Sequence, residues 1–461
     1  MVKVSSSSAI RLVVADAENL RLANRLVKRM RKRRVVVGIL LLLLMLVGVA
    51  GIAVYRATGT FAVAIPASLK GNEPGTLLSV ERTGKYPAFA TQIILNRVDL
   101  PEPIEVTQGI TLYRLRYHTT RKGCVDVASG LVALPHGSKL KSVVVYHHGT
   151  NAERRTAPSQ PGLGEGLLIA AATAGTGNVL VAPDYLGLGE SHVVHPYLCT
   201  KPTVTSSVDL LRAARSFVEH LRGDWPTSLF LMGFSQGGHA TLAVQRELES
   251  LHDPSFQVTA SAPIAGPFHL REVSFPNALT GKTKSHAFYL AYLANSYASV
   301  YGQPLETLLQ APYVEQVPIL FNGDHTTETI SAALPTDPRR LFNPEFLAAF
   351  QRGSPHWFLE ALAENDVYDW TPVAPIRIYF GDHDVDVPPE EARRTASEMQ
   401  QRGADVQAIS VGPVSHDESA LRAVPQALDW FRKMVHEGKS HRSAGLLLPA
   451  AQLARTRCCH S

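Results

Sequence analysis

From Ser142 onward, short apolar runs rich in β-branched residues take turns with longer amphipathic ones, and few architectures tolerate that order. SVVVYHHG and NVLVAPDY each read as a strand passing into a loop. SSVDLLRAARSFVEHL reads as a helix, with Val208, Leu211, Ala214, Phe217 and Val218 on one face. SLFLMGFS, a helix after Ser235 and FQVTASAPIAG continue the alternation, and PIRIYFGDHD, a helix from Pro389, VQAISVG and ESALRAVPQALDWFRKM complete it. Strands that are apolar throughout must be covered on both faces, which calls for a mostly parallel sheet with helices above and below it. The fold class is therefore α/β. Thr111–Tyr117 and Ala128–Leu134 add two further strand-like segments upstream.

The alternation is interrupted once. Residues 267–372, between Pro267 and Pro372, carry aromatic and helical segments such as SHAFYLAYLANSYASVY and NPEFLAAF, and read as an inserted helical cap. The catalytic domain then consists of 111–266 and 373–437, residues 55–110 form a linker and N-terminal extension, and 438–461 form a disordered tail. Phe288, Tyr289, Tyr292, Tyr297 and Tyr301 are either contacts for an apolar ligand or the cap's own core.

The chain of 461 residues has a formal net charge of +5, much of it in KRMRKRR at residues 28–34. Outside that cluster the charges nearly balance, so no nucleic-acid surface is implied. Val35–Val54 follows without a single charge. At about 1.5 Å per residue, a helix of that length spans the hydrocarbon core of about 30 Å. The run is too long, and too far from the N-terminus, for a typical cleaved signal, and it has no polar face. It is expected to be a single-pass anchor, with the basic segment 1–34 in the cytoplasm and the rest of the chain on the far side of the membrane. In that compartment Cys124 and Cys199 either pair or remain free thiols.

The chemistry centres on LMGFSQGGHA. A strand turning sharply into a helix places Ser235 at the apex, with Gly233 and Gly237 where a side chain would collide with neighbouring backbone. A serine hydroxyl needs a base, usually a histidine oriented by a carboxylate. On a parallel sheet these groups follow the C-terminal ends of later strands. IRIYF runs into GDHDVDVP, and VQAISV runs into GPVSH, giving the order Ser, Asp, His with His416 as base. His436, His441 and His460 lie in the last helix or the tail, so His416 has few rivals. The residues alone leave Asp382, Asp384 and Asp386 open as the carboxylate. D-H-D-V-D lacks the glycine and the bidentate Glu of a calcium loop, and no pattern suggests zinc, so no metal and no cofactor are expected. For the oxyanion, the N–H of Gln236 at the helix start and that of Gly149 or Thr150 are the expected donors. His147 and His148 point opposite ways at a strand end and pack beneath the site rather than share a metal.

HHGT, PDYLGLGES followed by HPYL, GFSQGGHA, Gly381–Pro388 and VSHD, in that order, resemble the α/β-hydrolase superfamily, and most of all its secretory-lipase type. The resemblance spans about Arg116 to Met434 and implies an α/β-hydrolase fold with a helical cap. Its G-x-x-D-x-x-V-P pattern falls on Gly381, Asp384, Val387 and Pro388, which selects Asp384, and it implies that Asp184 and Tyr185 line the site. The expected activity is hydrolysis of carboxylic esters or lipids through an acyl-serine. A peptidase or acyltransferase on the same triad is the near alternative, and a non-catalytic binding module the distant one. The basic cluster and long apolar run depart from a freely secreted lipase.

Overall fold

The computed structural model describes residues 59–445. The basic cluster, the expected anchor Val35–Val54 and most of the expected tail lie outside the described residues. Among those described, no helix is long and apolar enough to cross a membrane.

The described residues hold a ten-stranded sheet: β1 (Phe61–Val63), β2 (Leu77–Tyr86), β3 (Ile110–Arg121), β4 (Cys124–Pro135), β5 (Val143–His147), β6 (Val179–Pro183), β7 (Leu229–Phe234), β8 (Val258–Ile264), β9 (Ile376–Phe380) and β10 (Val406–Ser410). Their spatial order is β1-β2-β3-β4-β6-β5-β7-β8-β9-β10. The pairs from β1 through β4 to β6 are antiparallel, and those from β6 across to β10 are parallel. In the parallel half, successive side chains enter different cores. Val143, Val145, Leu229 and Leu231 belong to one, and Val144, Tyr146, Phe230 and Met232 to the other. This is the physical content of the unbroken apolar runs: both faces of each strand are buried.

One face is covered by α1 (Ala88–Leu95), α2 (Glu165–Thr173) and α12 (His416–Gly445), the other by α3 (Thr200–Arg222), α4 (Gln236–Leu251) and α11 (Pro389–Gln401). The face of α3 expected from its periodicity is buried as predicted. α12 continues past Glu437, where the sequence suggests the tail begins. From β5 the chain passes by α2 to β6 on one side, and then by α3 to β7 on the other. The loops after β5 and β7 therefore diverge, and a crevice opens at the C-terminal ends of these strands.

The cap comprises α5 (Phe275–Leu279), α6 (Ser285–Tyr301), α7 (Tyr313–Leu320), α8 (Thr327–Ala333), α9 (Pro344–Gln351) and α10 (Trp357–Glu364). It lies in sequence between β8 and β9, as expected, and has its own core, in which Phe288, Tyr292 and Tyr297 are buried with Phe342 and Phe358. Tyr289 and Tyr301 pack against that core. Tyr297 donates its hydroxyl to the Leu198 carbonyl at 3.1 Å, and the Tyr301 oxygen accepts from Asn365 at 2.8 Å. The structure gives Phe288, Tyr292 and Tyr297 the role of core.

The stretch expected as a linker, residues 55–110, is different from its sequence reading. It supplies β1, β2 and α1, and β2 pairs with β3 along most of its length. β2 escapes a period-two reading because register shifts interrupt it between Leu77 and Ser79 and between Arg82 and Gly84. Its buried residues Leu77, Val80 and Thr83 consequently fall three apart.

Candidate active site

Ser235 occupies the turn between β7 and α4 with φ +56° and ψ −117°. A non-glycine residue with positive φ is strained by about 1–3 kcal/mol and persists only where its surroundings hold it. Here the Ser235 N–H donates to the Ile264 carbonyl on β8 at 2.8 Å, and its own carbonyl accepts from Gly238 at 2.8 Å and His239 at 3.3 Å. Both flanking glycines are dictated by close approach. A Cβ on Gly233 would lie 2.2 Å from the Gly237 carbonyl oxygen, and one on Gly237 would lie 1.9 Å from that of His147.

The three expected side chains meet. The Ser235 hydroxyl donates to His416 Nε2 at 2.8 Å, and His416 Nδ1–H donates to Asp384 Oδ2 at 2.7 Å. The other oxygen of Asp384 accepts the Val387 N–H at 2.9 Å, which fixes the carboxylate. All three residues are buried. Asp382 and Asp386 are engaged elsewhere, the former with Arg393 and Ser410, the latter with Thr283.

His416 is the first residue of α12. The preceding Ser415 gives both its N–H, at 3.0 Å, and its hydroxyl, at 2.8 Å, to Glu418, as in half of a capping box. The Phe234 ring lies 4.7 Å from the imidazole, centroid to centroid. Burial pulls the His416 pKa down, but the hydrogen bond and charge of Asp384, helped by Asp386 and Asp417, outweigh it and leave the imidazole more basic than usual. With Nδ1–H committed to Asp384, Nε2 is the free acceptor that a serine proton requires.

Gln236 begins α4, so its N–H has no acceptor within the helix and sits at the positive end of the helix dipole. Its side chain is locked: Gln236 Nε2–H donates to His195 Nε2 at 2.9 Å, and His195 Nδ1–H donates to the Leu186 carbonyl at 2.7 Å. Burial pulls the His195 pKa to about 4, keeping it neutral and able to accept. Gly149 and Thr150 lie on the loop after β5, with the Phe234 ring 3.2 Å from where a Gly149 Cβ would be. The Thr150 and Tyr197 hydroxyls bond at 2.9 Å.

Asp184 and Tyr185 do not line the site as the resemblance implies. Asp184 is fully buried, and its carboxylate takes hydrogen bonds from Ser129 at 2.6 Å and from the Ser159 N–H at 2.8 Å. Tyr185, also fully buried, donates to the His148 carbonyl at 3.3 Å and packs on the His148 ring with centroids 4.3 Å apart. Both brace the loop that carries Gly149 from below. His147 and His148 are buried as expected. His147 bonds to Thr241 at 3.1 Å, and burial drives its pKa to about 3. Among the described residues no cluster of His, Cys, Asp or Glu is arranged to hold a metal ion. Cys124 is exposed and Cys199 buried, and both are free thiols.

Sequence reasoning missed two residues at the site. Phe234 lies inside the quoted elbow, one position before the serine, and could have been found there. His195 opens the quoted HPYL, but nothing in that local sequence signals its partner 41 residues downstream.

The geometry has counterparts. A family model described as secretory lipase matches residues 163–442. A crystal structure from Legionella pneumophila, provisionally described as a hydrolase, is similar with 27% identity and a TM-score of 0.73, over 78% of this chain and 98% of that one. The rice cell wall degrading esterase LipA of Xanthomonas oryzae shares 27% identity and a TM-score of 0.67, over 78% and 97% of the two chains. Candida antarctica lipase A in its closed state, at 16% identity, a TM-score of 0.58 and coverage of 81% and 84%, shares the fold. No curated protein sequence matches the chain. The mostly parallel sheet, its helices and its strand-to-helix elbow are those of an α/β-hydrolase-like fold.

Proposed function

This chain belongs to the secretory lipase family and is a lipase/esterase-type hydrolase, and from that premise we propose that it cleaves carboxylic esters through a covalent acyl-Ser235. The unbroken hydrogen-bond chain from Ser235 through His416 to Asp384 carries the proposal. As Ser235 Oγ attacks the ester carbonyl, its proton passes to His416 Nε2, and the carbonyl electron pair moves onto oxygen. Asp384 stabilises the imidazolium and holds its orientation. Gln236 N–H, with Gly149 or Thr150, donates to the oxyanion. Collapse of the adduct breaks the bond to the alcohol, which leaves with the proton from His416. Water then repeats the sequence and releases the acid. No cofactor enters any step.

The deciding experiment compares the full-length chain with Ser235→Ala on p-nitrophenyl esters, with peptides and alternative acyl acceptors as controls. Ester hydrolysis lost in the alanine variant is the expected result. A Ser235→Ala protein as active as wild type would refute the mechanism, and turnover of peptides alone would move the substrate class to that of a peptidase.

The same proposal includes tethering by Val35–Val54, with residues 1–34 cytoplasmic and the catalytic domain beyond the membrane. It is supported by the uncharged run and its basic N-terminal flank. Recovery of the full-length chain in the soluble fraction after cell lysis, uncleaved, would exclude it.

A further inference from the structure

A cavity of about 280 Å³ lies beside the triad, and the cap takes no part in its walls. Leu95 on α1 and Leu100 and Ile104 in the loop that follows form one side, and Leu168 on α2 and Val424 on α12 form the other. Phe234 also borders it, with its ring 4.7 Å from that of His416, centroid to centroid. Gly149 and Thr150, the candidate oxyanion donors, border the same space. Two polar groups in the wall, the Tyr146 hydroxyl and the Glu165 carboxylate, bond to each other at 2.5 Å. What they leave to an occupant is almost wholly apolar.

Resting on the ester-hydrolase reading, we propose that this cavity binds the acyl chain of the substrate. The chain is measured by the main domain and its N-terminal extension, not by the cap. The placement follows from the carbonyl. If its oxygen sits at Gln236 and the Gly149–Thr150 loop, the carbons attached to it begin at the cavity's border and run between α1, α2 and α12. Phe234 then separates the chain from the imidazole and excludes water from that side. Size sets the ligand class. A cavity of roughly 150 Å³ accepts the six carbons of benzene, so this one takes an acyl chain of about ten carbons. The cap's Phe288, Tyr292 and Tyr297 are packed into a core cluster with Tyr197 and Leu198 and do not border this cavity.

The test uses the full-length chain on p-nitrophenyl acetate, butyrate, octanoate, decanoate and palmitate. Burial of each methylene favours binding by about fourfold, so kcat/KM is expected to climb with chain length up to the decanoate and then level off. Ala420 lines the cavity from α12 and is only half-buried, so Ala420→Phe fills the space from a tolerant position. Its ratio of kcat/KM for decanoate to that for acetate is expected to fall at least about fifteenfold, since at least two methylenes are displaced. Leu168→Ala, which enlarges the space, is expected to move the optimum to longer chains. Taking a ratio within each variant removes any general loss of activity. If both variants keep the wild-type chain-length profile, the acyl chain lies elsewhere and the proposal fails. Calorimetric titration of Ser235→Ala with decanoate, with and without Ala420→Phe, separates the two levels of inference. Binding abolished by the phenylalanine supports the cavity even if no ester is turned over, whereas binding indifferent to it overturns the cavity and leaves the hydrolase reading standing.

Discussion

Replacing Asp384 by asparagine isolates one oxygen. In the wild type, Oδ1 accepts from Val387 and Oδ2 from His416 Nδ1–H, so the imidazole presents a bare Nε2 to Ser235. An asparagine that keeps the Val387 bond must aim its NH2 group at Nδ1. The ring then carries its proton on Nε2, and it donates to Ser235 instead of accepting from it. Rotating the amide to restore the tautomer sets NH2 against the Val387 N–H, at a cost of about 1–3 kcal/mol for the buried clash. Either way the imidazolium formed in the reaction loses its counter-charge. Loss of an orienting carboxylate of this kind costs about 10⁴ in rate, or about 5.5 kcal/mol at the standard conversion per decade. The assay is kcat/KM for a p-nitrophenyl ester as a function of pH. Activity needs neutral His416, so it is lost as pH falls through the His416 pKa. Because that pKa is raised, the acid limb of the wild type should lie above the ordinary histidine value of 6.5. In Asp384→Asn, burial is opposed only by Asp386 and Asp417, and the residual activity should show a limb displaced to lower pH. Asp382→Asn is the control, since Asp382 serves Arg393 and Ser410 at the surface. A loss under about tenfold for Asp384→Asn, or an equal loss for Asp382→Asn, would refute the assignment.

Gly237→Ala should cost several kcal/mol or prevent folding, because its Cβ would enter the His147 carbonyl and neither backbone can retreat. Gly164→Ala, where nothing lies within 4 Å, should cost only about 1 kcal/mol, the loss of a favoured N-cap residue on α2, and thermal melts of the two variants provide the comparison. Glu391, buried on α11, accepts the N–H groups of Phe268 and His269 at 2.9 and 2.8 Å where the chain enters the cap. Burial pushes its pKa from the ordinary 4.5 to about 7. The folded protein therefore holds this proton more tightly than the unfolded chain. The resulting stabilisation is complete below pH 4.5 and declines by about 3 kcal/mol as the pH rises to 7. Glu391→Gln should flatten that part of the melting-temperature profile, and an unaltered slope would show that Glu391 does not titrate there.

Much of the fold was legible because the parallel strands are buried on both faces, so that SVVVYHHG, NVLVAPDY and SLFLMGFS betray themselves by composition alone. The triad was legible for a related reason. A parallel sheet confines chemistry to strand ends, and His416 is the first histidine after the last strand. The choice among Asp382, Asp384 and Asp386 was not in the residues, since three carboxylates within five positions are locally equivalent. What separates them is tertiary: Arg393 and Ser410 hold one, Thr283 holds another, and His416 meets the third. Asp184 and Tyr185 mark the opposite failure. The resemblance implies that they line the site, yet here the loop's own backbone and the serines of neighbouring segments consume them.

The costliest omission was the segment taken for a linker, and its cause bears on where specificity resides. β2 hides behind two register shifts, and α1, AFATQIIL, exposes Phe89 and Ile93 while burying Ile94 and Leu95, so it shows no apolar stripe. Such a helix can be recognised only by what it packs against, and what it packs against is the wall of the apolar cavity. The cap's aromatics drew attention because they are conspicuous in sequence, but conspicuous apolar residues in a six-helix insertion are needed to give that insertion a core. A binding cavity, by contrast, is built from side chains that leave their apolar surface unsatisfied, half-buried residues such as Leu100, Ile104, Leu168 and Val424. Their ordinary look in the sequence follows from that role: each contributes little alone, and only the fold brings them to one place beside Phe234.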